Sequence, residues 1–251
     1  MKVLNWFSTQ STPLIAAIAL ALGAESASAQ TKQTRALVRA VSGSVTFTAP
    51  EVSTGAPLKV GAALGAGTTI RTGSGSSMDL FLGRAAGVLR VTENTTLVID
   101  KLSQTDTGAE ITTDTQLNLA DGTILGNVNK LTASSRYEIK MPNAVAGIRG
   151  TRFRCTAPSG QTTLLDGTAV LVFKQPDTTF GTRPLTGPAS FNPVTDLGGA
   201  APAPETFMPA LTEQFRQFEG APQNAPITVD APAPPPPQPD RAFVSSGIGS
   251  R

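Results

Sequence analysis

The stretch "RYEIKMPNAVAGIRGTRFRCT" (136–156) decides the fold, because its residues alternate with the two-residue period of β-strands. From Tyr137 to Met141 every second residue is apolar, and the residues between them are charged. One face of this segment is therefore expected to lie against a core and the other in solvent. Pro142 follows directly, and its missing N–H is expected to end the strand.

The segment "NAVAGIRG" (143–150) is expected to form the next short strand. Gly147 and Gly150 allow bends or a close approach of another backbone. Arg149 is either buried in a structural ion pair or exposed as a contact to a partner. We expect the buried pairing, which requires a carboxylate that the spacing alone does not identify.

The segment "TRFRCT" (151–156) is expected to form a third strand, with Phe153 and Cys155 facing inward and the two arginines facing outward. Cys155 is the single cysteine of the chain, so it has no partner for an internal disulfide. We interpret it as a small buried apolar residue.

The glycines of "GIRGT" (147–151) do not form a known phosphate-binding or catalytic loop. The spacings G-x-x-x-x-G-K-[ST] and G-x-G-x-x-G are both missing, and a strand rather than a helix follows. The G-x-S-x-G turn of serine hydrolases is also missing, and the chain contains no histidine to act as its base. We therefore expect these glycines to shape strand corners.

The same strand-and-turn pattern extends over residues 36–174. Apolar runs recur every eight to twelve residues around Ser-Gly and Asp-Gly turns, and "TEN" (92–94) is expected to close a tight hairpin. No helical period separates these runs, which excludes a βαβ fold. The pattern predicts an all-β domain, either a short-stranded antiparallel sandwich or a short β-solenoid-like module, and does not decide between them.

Residues 1–29 have the features of a signal peptide: a basic start at Lys2, an eleven-residue apolar run and a cleavage site between Ala29 and Gln30. The protein is therefore expected to be exported, to a periplasm or out of the cell. No later segment has the roughly 20 apolar residues of a membrane span. A net charge of +2 also gives no reason to expect a nucleic-acid partner.

The composition changes after Lys174. Residues 175–220 are expected to form an extension with a short helix near 205–220, whose apolar stripe would dock on its own domain. Residues 221–251 contain "APAPPPPQPD" and are expected to be a Pro-rich, disordered tail that is largely irregular. The helix stripe consists of Phe207, Leu211, Phe215 and Phe218.

Several collinear segments resemble a known family. They are "GTTIRTGSGSSMDLFL", "GVLRVTENTTLVID", "LADGTILGNV", "YEIKMPNAVAGIRGTRFR" and "LLDGTAVLVF". In this order they are similar to the FecR domain, the periplasmic module of ferric-citrate-type sigma-factor regulators. The resemblance is strongest over residues 67–174, and its most specific element is Gly-Thr-x-Phe. The family motif falls on Pro142, Gly147, Arg149, Gly150, Thr151 and Phe153, which we interpret as structural or partner-contact residues.

The resemblance implies a non-enzymatic, exported all-β module without catalytic residues, cofactor or metal. In the regulators, this module receives a signal from the periplasmic domain of an outer-membrane receptor. Here a cleavable signal stands where the regulators carry an anti-sigma segment and a membrane span, as in free-standing exported variants. We therefore expect a module that binds an envelope protein or polymer. The alternative is a signal-sensing component of iron or cell-surface signalling that works with a receptor or a separate membrane regulator.

A third hypothesis is a glycan hydrolase with two catalytic carboxylates. Acidic residues are available for this role, but each lies in or beside a strand or turn, where solvated acids are common. We therefore expect no enzyme activity. The acids considered are Asp79, Glu93, Asp100, Asp121 and Asp166.

Overall fold

The computed structural model describes residues 30–50, 52–108, 110–196 and 207–219. Within these residues it contains seventeen strands and one helix. The strands are β1 (Gln30–Gln33), β2 (Ala36–Ser42), β3 (Val45–Ala49), β4 (Val52–Pro57), β5 (Ala63–Leu64), β6 (Thr69–Thr72), β7 (Ser77–Gly83), β8 (Gly87–Val91), β9 (Thr96–Asp106), β10 (Ile111–Asn127), β11 (Arg136–Met141), β12 (Ala144–Arg149), β13 (Arg152–Ala157), β14 (Gln161–Leu164), β15 (Thr168–Lys174), β16 (Phe180–Thr186) and β17 (Ala189–Phe191). The helix is α1 (Phe207–Glu219).

The strands form two sheets that share β10. The first sheet has the order β4-β3-β6-β9-β10-β11-β12-β15-β16, and β1 also pairs with the far end of β9. The second sheet has the order β5-β2-β7-β8-β10-β13-β14-β17. Neighbouring strands are antiparallel except β10 and β11, which are parallel. After the first two strands of each order, strand number rises along both sheets, because the chain crosses repeatedly between them.

β10 passes from one sheet to the other at Asp121-Gly122. Residues up to Asp121 pair with β9, and residues from Gly122 onward pair with β13. Gly122 has a φ of +89°, and a Cβ there would lie 2.2 Å from Thr95 Oγ1 and 2.7 Å from the carbonyl oxygen of Asn94. This bend therefore requires glycine.

Other predicted turns are also crossings between the sheets, whereas the Ser-Gly turn at 159–160 joins the paired strands β13 and β14. β8 and β9 flank "TEN" but lie in different sheets, so the hairpin predicted there is wrong. Asn94 has a φ of +50°, which suits a sharp corner as well as a hairpin. The partners of the two strands are set by residues distant in sequence, and the turn alone does not reveal them.

Corners from successive crossings stack on one another at one end of the sheets. The Gly73 N–H donates to the Ser44 carbonyl (2.9 Å), and the Asn94 N–H donates to the Gly73 carbonyl (3.2 Å). Thr95 Oγ1 accepts from the Thr123 N–H at 3.0 Å. Each corner thus satisfies backbone groups of the next one, as buried strand ends require.

The two sheets pack face to face over one core, as in a sandwich. The ring centroids of Tyr137 in the first sheet and Phe153 in the second lie 6.2 Å apart, in an edge-to-face arrangement. Those of Phe173 and Phe191 lie 4.9 Å apart. The all-β prediction is confirmed, and so is the inward orientation of Phe153 and Cys155. Burial raises the pKa of the Cys155 thiol to about 12, so the residue is a neutral part of the core.

The predicted boundary at Lys174 precedes two strands that belong to the sheets. β16 pairs with β15 along its whole length, and β17 pairs with β14. The sequence of this region contains Pro and Gly and has little periodicity of its own. β16 and β17 therefore depend on pairing with β15 and β14.

The helix α1 packs on the outer face of the second sheet through three residues of the predicted stripe. Leu211, Phe215 and Phe218 form a small apolar cluster with Val88 and Leu125, separate from the main core. Among the described residues no helix is long and apolar enough to cross a membrane. The predicted signal peptide (1–29), with Ala29, and the predicted tail (221–251) lie outside the described residues.

Candidate functional site

The motif residues are divided between the core and the surface rather than gathered in one place. Thr151 and Phe153 are buried, and Gly150 forms the corner between β12 and β13. Pro142 lies in the exposed turn after β11. Only Gly147 and Arg149 lie together, on the outer side of β12. Gln30, after the predicted cleavage site, is the first residue of β1.

The Gly-Thr-x-Phe element has a structural role. Gly150 has a φ of +58°, and a Cβ there would lie 2.9 Å from the Lys130 Cα. The Thr151 carbonyl accepts from the Val128 N–H at 3.0 Å. The ring of Phe153 lies over Gly126, where a Cβ would approach the ring to 2.2 Å. The element therefore fixes a corner and fills the core between the sheets.

The expectation that Arg149 is buried is wrong. Arg149 is exposed, and its guanidinium donates to the carbonyl of Ala133 at 3.0 Å. Apart from Arg149, the residues of β12 are small or apolar on both faces, and its inner face carries Ala144, Ala146 and Ile148. The alternation therefore places Arg149 on the same outer side as Gly147.

A depression of about 220 Å³ lies on this outer side. Its floor is formed in part by Gly147, where an added Cβ would meet only the Val170 carbonyl oxygen, at 3.6 Å. The missing side chain therefore leaves open space rather than relieving a clash. The rim is formed by side chains of β11, β12 and β15, among them Arg136, Glu138, Arg149, Thr168 and Val170.

Exposed apolar side chains continue from the depression over β15 and β16. Val170 is 47% exposed, Val172 39% and Phe180 75%. In the register Gly147 pairs with Val170, and Val170 pairs with Pro184. We call this surface the β15 face; it comprises Gly147, Arg149, Val170, Val172, Phe180 and Pro184.

The charges around the depression leave one cation without an acidic partner. Arg136 and Glu138 form a two-bond ion pair (2.6 and 2.8 Å), and hydrogen bonding to Glu138 raises the pKa of Arg136. No ion pair involves Arg149 among the described residues. The rim therefore carries a net positive charge that suits a carboxylate on a bound molecule.

The edge of the first sheet is less suited to binding than its face. β16 is the last strand, and Pro184 in its middle has no N–H to offer an added strand. Proline on an edge strand opposes pairing with another chain. Contact through side chains of the β15 face is therefore favoured over strand addition.

The five acids of the hydrolase hypothesis each bind a neighbouring group. Asp79 pairs with Arg90, Asp100 with Lys140 and Asp166 with Arg152. The other two accept backbone N–H bonds: Glu93 from Gly75, and Asp121 from Gly122. Within the described ranges, no cluster of three or more metal-ligating side chains occurs. The acids are thus parts of ion pairs and corners.

Sequence reasoning missed the exposed valines. In "TAVLVFK" (168–174) both faces are apolar, because Val170 and Val172 alternate with Ala169, Leu171 and Phe173. Apolar residues on both faces were the sequence feature that could have revealed this surface, because a strand with one solvent-facing side normally carries polar residues there.

A comparison with known families matches residues 68–170 to the FecR family, described as "FecR protein". The match spans β6 to the middle of β15 and includes the depression and the whole motif. No curated protein and no solved structure matches the chain. FecR domains are periplasmic and related to signalling regulators. Residues 68–170 of this chain thus match the FecR domain.

Proposed function

We propose that the protein is an exported, non-enzymatic FecR-domain module that binds an envelope protein through the β15 face. The observation that carries this proposal is the exposure of Val170, Val172 and Phe180 on one side of adjacent strands. Exposed apolar side chains grouped on one side of a domain and bordered by polar residues, here Thr182 beside Val172 and Lys174 beside Phe180, are typical of an interaction site.

The composition of the face resembles that of a protein interface. Its centre is apolar, and Arg149 lies at its margin beside the depression. Protein interfaces combine an apolar centre with a polar rim, and arginine is enriched in them. The best-fitting partner carries an apolar segment with one acidic side chain, which would enter the depression and pair with Arg149.

The family favours a second, narrower candidate. Because FecR domains are related to signalling regulators, the bound protein would be a receptor's periplasmic domain or a membrane regulator. On this hypothesis the same face transmits a cell-surface signal. An adaptor that binds structural envelope components would use the face only for attachment.

Capture from a detergent-solubilised envelope fraction tests the proposal, with residues 30–251 as bait. The double variant Val170→Ser/Val172→Ser is compared with Val60→Ser/Val194→Ser, which changes two valines elsewhere that are even more exposed. We expect the first variant to lose proteins that the wild type and the second variant retain. Equal recovery by all three would contradict the proposal. A receptor or membrane regulator among the lost proteins would favour signalling, and structural components would favour the adaptor.

A further inference from the structure

The outer face of the second sheet carries an apolar surface that α1 covers. Val88 and Leu125 are buried beneath the helix, and Phe81 and Leu165 are partly buried beside it. Arg90 and Arg152 flank these four residues, and we call the six together the α1-covered face. The helix presents Leu211, Phe215 and Phe218, each no more than 2% exposed.

Two polar contacts hold the C-terminal end of the helix. The Arg90 guanidinium carbon lies 5.2 Å from the centroid of the Phe218 ring. Glu219 Oε1 accepts from Asn127 Nδ2 at 2.9 Å and lies 4.0 Å from an Arg152 nitrogen. The face therefore recognises a helix through an apolar stripe and one carboxylate.

The ion pairs of the sheet do not depend on the helix. Arg90 forms two bonds with Asp79 (2.7 and 2.8 Å). Arg152 binds Asp166 through both its backbone N–H and its side chain. Departure of α1 would uncover apolar area without leaving either arginine unpaired, so the cost of an unpaired buried charge does not hold the helix in place.

The helix itself has little intrinsic stability. It has thirteen residues and no acidic residue in its first turn. In its last turn Arg216 favours the helix dipole, but Glu219 opposes it. Its internal support is a contact of Glu213 with Arg216 and Gln217. The helical form of α1 thus depends on the face beneath it.

α1 and the surface that it covers come from different parts of the sequence. All six residues of the α1-covered face lie within the span that matches the FecR family, whereas α1 begins at Phe207. Residues 197–206 connect it to the end of the β-domain. The FecR domain thus supplies the binding surface, and the extension supplies its occupant.

We propose that the α1-covered face is a binding site for an amphipathic helix, which α1 occupies in the absence of a partner. The ligand class is a helix of another protein with apolar residues at positions i, i+4 and i+7 and a carboxylate at i+8. This pattern corresponds to Leu211, Phe215, Phe218 and Glu219. Docking of an amphipathic helix on an apolar surface is a common mode of recognition. The site is independent of the β15 face, which lies on the other sheet.

A labelled peptide with the sequence of residues 205–220 tests this proposal by fluorescence anisotropy. It is titrated with the wild-type chain and with the variants Phe215→Ala/Phe218→Ala and Gln214→Pro. The first variant removes the helix's apolar contacts, and the second breaks the helix at an exposed position. Both leave the sheet unchanged. We expect each variant to bind the peptide at least tenfold more tightly than the wild type, whose own α1 competes.

Two controls define the result. A peptide with alanine at positions 215 and 218 should bind none of the proteins, and circular dichroism should show that both variants keep the β-domain. Tighter binding by either folded variant would support the proposal. Equally weak binding by the wild type and every folded variant would overturn it. Loss of the β-domain in both variants would also overturn it, because α1 would then be a fixed part of the fold.

Discussion

The stacked corners predict a specific loss of stability for Gly122→Ala. Gly122 has a φ of +89°, a conformation that costs an alanine about 1–2 kcal/mol. The new methyl group would also lie 2.5 Å from the Thr95 Cα and 2.7 Å from the Asn94 carbonyl oxygen, both of which are backbone atoms. Relief of such overlap requires a backbone shift, which adds about 1–3 kcal/mol. We therefore expect a total destabilisation of about 2–5 kcal/mol.

Two other glycines separate these contributions. Gly61 has nearly the same φ, +87°, but no atom within 4 Å of an added Cβ, so Gly61→Ala should cost only the conformational strain. Gly65 has open space and no positive φ, so Gly65→Ala should be close to neutral. The chain from Gln30 onward contains no tryptophan, so urea unfolding should be followed by far-ultraviolet circular dichroism. If Gly122→Ala lowers the free energy of unfolding no more than Gly61→Ala does, the packing of corners against one another does not stabilise the fold.

Three further predictions concern the core between the sheets. Phe153→Ala should lower the free energy of unfolding by about 3–5 kcal/mol in the same assay, because the ring is fully buried and packs on Tyr137 and Gly126; a loss below 1 kcal/mol would place Phe153 outside the core. The Cys155 thiol should not react with a thiol reagent at pH 8 until urea is added, and rapid reaction of the folded protein would contradict its burial. Because the pKa of this thiol is about 9 when unfolded and about 12 when folded, the folded state retains its proton longer, and the free energy of unfolding should fall as the pH rises from 9 to 12. A Cys155→Ala variant should lack this part of the pH dependence.

The strands and the core were predictable because strand alternation is local. The run from Tyr137 to Met141 and the burial of Phe153 follow from residue order alone. The sheet to which each strand belongs was not predictable. A residue such as Asn94 adopts the same positive φ in a hairpin or in a corner between sheets, and only pairing with distant strands distinguishes the two. β16 was not predicted, for a similar reason: pairing with the neighbouring strand β15, and not its own sequence pattern, makes it a strand.

The candidate site was predictable only in part. Gly147 and Arg149 were identified from the motif, but their common outer position depends on which face of β12 meets the core. Apart from Arg149 itself, both faces of this strand are small or apolar, so alternation gave little contrast. The same ambiguity hid the exposed valines of β15, Val170 and Val172. An apolar outer face removes the contrast between the two sides of a strand on which prediction from periodicity depends.

Site-specific photo-cross-linking tests the central claim, that the β15 face contacts an envelope protein, most directly. p-Benzoylphenylalanine would replace Phe180, which is 75% exposed, and in a separate variant Val60, which is 62% exposed and lies elsewhere on the surface. In intact cells we expect position 180, but not position 60, to form an adduct with an envelope protein. Adding Gly147→Val, which fills the depression, should weaken that adduct. Absence of an adduct at position 180, or the same adduct from both positions, would contradict the account.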